Sequence, residues 1–81
     1  MIARVRGVFP GKGRVTIMLR EDGKASDLMG YVFVPEGEEI AAACDAAWKQ
    51  LDSAHGDLVV VTLEKPSRWG HKITAVEPWP A

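Results

Sequence analysis

The order of hydrophobic periodicities constrains this chain most. Three runs with the alternation of a strand come first, one run with helical spacing follows, and two more strand-like runs close the sequence. A β-β-β-α-β-β order in 81 residues predicts a mainly β protein. The expected architecture is a five-stranded Greek-key barrel with one α-helix between strands 3 and 4. The length suits one domain, residues 1–81, with a modest core.

Residues 1–9 alternate weakly, with Ile2, Arg4 and Arg6 on one side and Ala3, Val5 and Phe9 on the other. Pro10-Gly11-Lys12-Gly13 reads as a turn. Residues 14–20 alternate cleanly. Val15, Ile17 and Leu19 form an apolar face, opposed by Arg14, Thr16, Met18 and Arg20. Glu21-Asp22-Gly23-Lys24 is a turn of the Asp-Gly kind. Residues 28–34 form a third strand, where Gly30 suggests a bulge and Pro35 stops the ladder. Its facing has two readings. Either Met29, Tyr31 and Phe33 face out over a core of Val32 and Val34, or a one-residue slip of register reverses them.

The spacing predicts a helix over 38–54, with Glu38 and Glu39 in the first turn and Gly56 as its stop. Ile40, Cys44, Ala47, Trp48 and Leu51 share its apolar face. The β-branched run 57–64 predicts a strand buried on most of both faces. Residues 72–77 predict the last strand, ahead of Pro78 and Pro80. Trp79 reads either as packing on the barrel edge or as a short Pro-Trp ligand.

Enzyme signatures are missing. Gly11-Lys12-Gly13-Arg14 lacks the spacing of a phosphate loop, and Asp22, Asp27 and Glu36 do not make a calcium loop. Cys44 stands alone, which leaves no disulfide framework or thiol metal site. His55 falls at the predicted helix C-terminus, where a cationic imidazole is favourable, and His71 has no clustered second ligand. A non-catalytic protein without metal or cofactor is expected. No apolar run approaches the ~20 residues that span a bilayer. The N-terminus lacks the apolar core of a signal peptide. A cytoplasmic location is therefore the expectation, with no membrane partner.

The net charge is −1, but its distribution is uneven. Residues 1–20 carry Arg4, Arg6, Lys12, Arg14 and Arg20 without an acid. Residues 21–64 are strongly acidic, and Glu36, Glu38, Glu39, Asp45 and Asp52 fall near or on the solvent side of the helix. The segment Lys65-Pro66-Ser67-Arg68-Trp69-Gly70-His71-Lys72 is basic again and reads as a loop with a tryptophan in it. A ring that stacks on a base, flanked by cations that meet phosphates, suits single-stranded nucleic acid.

By element order and charge placement, nearly the whole chain resembles the OB-fold family, and within it the small single-stranded nucleic-acid binders. In that arrangement the loop joining strands 1 and 2 shares an end with the loop joining strands 4 and 5, and the face of strands 2 and 3 lies between them. The resemblance implies nucleic-acid-binding positions at Lys12, Arg14, Thr16, Met18, Arg20, Tyr31 and Phe33, and at Lys65, Arg68, Trp69, His71 and Lys72. It implies DNA ahead of RNA, with little sequence preference. The ending Glu77-Pro78-Trp79-Pro80-Ala81 differs from the acidic tail, ending in Pro-Phe, of bacterial members. The competing reading is a small protein–protein module, an adaptor or inhibitor, that uses the barrel face or the acidic helix. A protein partner at that helix and a homo-oligomer are further candidate partners.

Overall fold

Five strands close into a ring in the computed structural model, which describes residues 1–49 and 58–78. The elements are β1 (Ile2–Pro10), β2 (Arg14–Glu21), β3 (Leu28–Phe33), α1 (Glu38–Trp48), β4 (Leu58–Ser67) and β5 (Gly70–Pro78). The strands lie in the order β1-β2-β3-β5-β4, and β4 pairs back onto β1. Pairing is antiparallel throughout except between β3 and β5, which run parallel. Among the described residues no helix is long and apolar enough to cross a membrane.

The alternation of β2 decides which way the sheet faces. Val15, Ile17 and Leu19 are buried, and they pack with Ala3, Val5, Val32, Val59, Val61 and Ile73 inside the ring. Full burial of one such aliphatic side chain contributes roughly 1.5–3 kcal/mol. The helix α1 lays Cys44 and Ala47 on this core, with Ile40 and Trp48 packed beside them. Its predicted continuation through 54, with Leu51 and the stop at Gly56, lies outside the described residues, as do His55, Asp52 and Trp79.

Val32 is 1% exposed, which fixes the register of β3. Val32 faces the core, and Tyr31 and Phe33 lie on the opposite face with Met29. Gly30 is not a bulge. The β2–β3 ladder runs unbroken from Arg14–Phe33 to Leu19–Leu28. Gly30 instead lets Ile73 approach, since a Cβ there would lie 2.7 Å from Ile73 Cδ1.

The irregularity sits in β1, between Val5 and Gly7. One extra residue there reverses the facing of everything after it. Phe9, expected beside Ala3 and Val5, therefore stands across from Thr16 on the outer face and is 51% exposed. Its ring lies over Gly7. The strand β4 is also less buried than expected. Val59 and Val61 enter the core, whereas Val60 is half-buried and Thr62 exposed. Finally, the predicted loop 65–72 is mostly strand. β4 and β5 run on through it and leave Arg68 and Trp69 as the turn.

Candidate nucleic-acid interface

Alternation along β2 and β3 sets a row of polar and aromatic side chains on the outer face. Arg14 pairs across the ladder with Phe33, Thr16 with Tyr31, and Met18 with Met29. Phe9 extends the Thr16 row on the β1 side, and Lys72 extends it past Tyr31 on the β5 side. Cross-strand partners of this kind stand about 4.5–5.5 Å apart at Cβ, so the side chains touch.

The β4–β5 turn brings Trp69 onto this row. Its ring centroid lies 6.0 Å from that of Tyr31 and 5.9 Å from that of Phe33, edge-on to both. Tyr31 and Phe33 are themselves edge-to-face at 5.3 Å. Each such pair contributes about 0.5–1.5 kcal/mol beyond the buried area. Three cations surround the cluster. The Arg68 guanidinium lies 4.5 Å from the Trp69 ring centre and that of Arg14 5.3 Å, while Lys72 Nζ stands 5.9 Å from the Phe33 ring centre. At exposed sites such contacts contribute about 0.5–1 kcal/mol each. Trp69 remains 40% exposed, whereas Tyr31 is covered to 7%.

Two glycines make the turns that carry these side chains. Gly13 has φ +76° and lies in the β1–β2 turn, where the Gly11 N–H donates to the Arg14 carbonyl at 2.8 Å. Gly70 has φ +104°, and a Cβ there would strike the Met29 carbonyl. A side chain at that position would push the Arg68–Trp69 turn away from β3. The turn is further held by Ser67, whose hydroxyl accepts from the Trp69 N–H at 3.3 Å and donates to the Gly70 carbonyl at 3.2 Å.

Two hollows flank Phe33. One, of about 250 Å³, is lined by Gly11, Lys12, Gly13, Arg14, Thr16 and Phe33. The other, of about 450 Å³, is lined by Phe33, Glu36, Gly37, Ile40, Lys72, Ile73 and Thr74. The face thus offers aromatic edges, hydroxyls and cations together. That combination suits a ligand with flat rings and a negative backbone.

Not every predicted residue joins it. Lys12, Arg14, Thr16, Tyr31, Phe33, Arg68, Trp69 and Lys72 come together. Met18 faces outward with Met29 further along the ladder. Arg20 is engaged by Asp27, with Nε 2.7 Å from Oδ1, so its charge is already met. Lys65 lies exposed on β4. His71 donates from Nδ1 to the Glu64 carbonyl at 2.9 Å, and alternation puts it on the opposite side of β5 from Lys72. Phe9 and Met29, exposed on the same face, were not singled out by the sequence reading. Gly7 was the available signal for Phe9, since a glycine inside a strand pattern marks a bulge.

Among the described residues no group of His, Cys, Asp and Glu is arranged to hold a metal ion. Comparison with protein-family models, curated proteins and solved structures finds no match to this chain.

Proposed function

We propose that the protein binds single-stranded nucleic acid without catalysis, DNA ahead of RNA, through the outer face of β2 and β3. One observation carries the reading: Tyr31, Phe33 and Trp69 form one cluster, ringed by Arg14, Arg68 and Lys72. The OB-like Greek-key reading of the fold is supported by the strand order β1-β2-β3-β5-β4 and by the helix between β3 and β4. In that fold the β2–β3 face and the turns β1–β2 and β4–β5 are where oligonucleotides bind.

In this reading, Trp69 and Phe33 stack on bases, while Lys12, Arg14, Arg68 and Lys72 neutralise phosphates. Arg14 and Arg68 already lie over Trp69, so a base that stacks there shifts a guanidinium toward the adjacent phosphate. The test is fluorescence anisotropy of a labelled oligo-dT of about 20 nucleotides at low and moderate salt. Binding that weakens steeply with salt is expected. Salt-independent binding, or none at low salt, would sink the reading.

A second reading has its own observation. An open groove of about 580 Å³ lies between the β1–β2 hairpin and α1, lined by Val8, Pro10, Val15, Val34, Pro35, Ala41 and Ala42 and rimmed by Glu38 and Asp45. An apolar floor favours a protein partner, and Glu38 favours a basic one, since Asp45 is already met by Lys49 Nζ at 2.9 Å. Binding of such a partner that survives Arg68→Glu and Trp69→Ala would favour this reading.

A further inference from the structure

Tyr31 is an odd member of a stacking platform. The residue is 7% exposed, and its ring is in T-shaped contact with both Phe33 and Trp69. Little of the ring is left for a base. Yet its hydroxyl makes no hydrogen bond among the described residues, and no side-chain polar atom among them is buried without a partner. The hydroxyl therefore reaches the surface. Thr16, its direct partner across the ladder, repeats the pattern, with a half-buried side chain and an unpartnered hydroxyl among the described residues. Thr16 lines the hollow with Lys12, Arg14 and Phe33, whereas Tyr31, its cross-strand partner, is not part of that lining.

We infer that the β2–β3 face carries a base-reading subsite, in which the Thr16 hydroxyl hydrogen-bonds the edge of one nucleobase packed against Phe33. The inference rests on the nucleic-acid reading above and goes beyond it. Aromatic rings alone bind any base, because every base has a π-face. A hydroxyl beside the ring adds discrimination. A base whose edge complements it replaces its water, and one whose edge does not leaves it unpaired in a closed contact. Lys12 and Arg14, on the rim of the same hollow, are placed for the phosphates on either side of that base.

The test compares the intact protein with Thr16→Val, Thr16→Ser and Tyr31→Phe. Affinities for oligo-dT, oligo-dC and oligo-dA of equal length are measured at one salt concentration, and near-UV circular dichroism checks the fold of each variant. The wild type is expected to prefer one homopolymer. Thr16→Val should reduce that preference roughly three- to tenfold, the worth of one hydrogen bond, and Tyr31→Phe, which changes a residue outside the hollow's lining, should keep it. The salt slope should stay the same, and Thr16→Ser should keep the preference. Should Tyr31→Phe fail to fold, the Thr16 pair alone decides. Equal binding of the three homopolymers, or a preference unchanged in Thr16→Val, overturns the subsite and leaves the binding reading intact. No binding of any homopolymer overturns both.

Discussion

Replacing Gly70 by alanine tests how the tryptophan is held on the sheet. Gly70 has φ +104°, a conformation that costs an alanine about 1–3 kcal/mol. The new Cβ would also meet the Met29 carbonyl, a backbone atom that cannot swing aside as a side-chain tip can. Overpacking of that kind costs roughly 1–3 kcal/mol more. The expected loss is about 2–6 kcal/mol, a large part of the ~4–12 kcal/mol available to a chain of this length. Gly13 supplies the control. It has φ +76° and nothing within 4 Å of its Cβ position, so Gly13→Ala costs only the backbone term, about 1–2 kcal/mol. Urea unfolding followed by circular dichroism reads both. With a slope near ~1 kcal/mol per molar, Gly70→Ala should lower the midpoint by roughly 2 M or more. It should also shift the tryptophan emission to the red as the turn lifts from Tyr31 and Phe33. A Gly70→Ala loss no larger than that of Gly13→Ala would refute the close approach of the turn to β3.

Four further outcomes are expected. Trp69→Ala should weaken oligo-dT binding by about 1–3 kcal/mol, the worth of one stacked base, in a fluorescence anisotropy titration. Arg14→Ala and Arg68→Ala should each flatten the salt dependence of binding by ~0.7 in log–log slope, whereas Arg20→Ala, whose charge is held by Asp27, should leave it nearly unchanged. Gly30→Ala should cost roughly 1–3 kcal/mol by overpacking, and Ile73→Val, which removes the Cδ1 atom in the way, should recover part of it in a double-mutant cycle. Burial pushes the Cys44 thiol up to about 11 from an ordinary 9, so the unfolded chain ionises first. Stability from this group is full below pH 9 and is lost as the pH rises toward 11. Urea unfolding across that range should show the loss in the wild type and a smaller one in Cys44→Ala.

The elements of the fold were legible because their periodicities were clean. β2 alternates without interruption, and the face it predicts, Val15, Ile17 and Leu19 inward, is the face observed. The Ile40–Cys44–Ala47–Trp48 stripe likewise lies against the core. Register was the harder quantity. A bulge moves every later side chain to the other face, and the sequence reading placed one at Gly30 and none at Gly7. The structure uses Gly7, which sends Phe9 outward, and keeps Gly30 in an unbroken ladder to make room for Ile73.

The site divides along the same line. Arg14 and Thr16 were readable from the alternation of β2, whereas Tyr31 and Phe33 were readable only as one of two registers of β3, between which the buried Val32 decides. Trp69 was readable as a turn aromatic among cations, but its edge-on contacts to Tyr31 and Phe33 were not. They depend on how closely Gly70 lets the turn approach β3. Arg20 and His71 show the reverse. Each has the residue type a phosphate site needs, yet their partners, Asp27 and the Glu64 carbonyl, are seven residues away along the chain. No local spacing announces such partners.

Amide chemical-shift mapping of the isotope-labelled protein with unlabelled oligo-dT, at low salt, tests the central claim most directly. Changes concentrated at Lys12, Arg14, Thr16, Tyr31, Phe33, Arg68, Trp69 and Lys72, and reversed by added salt, are the predicted result. Changes confined to α1 and the groove beside it, or no change at all, would contradict it.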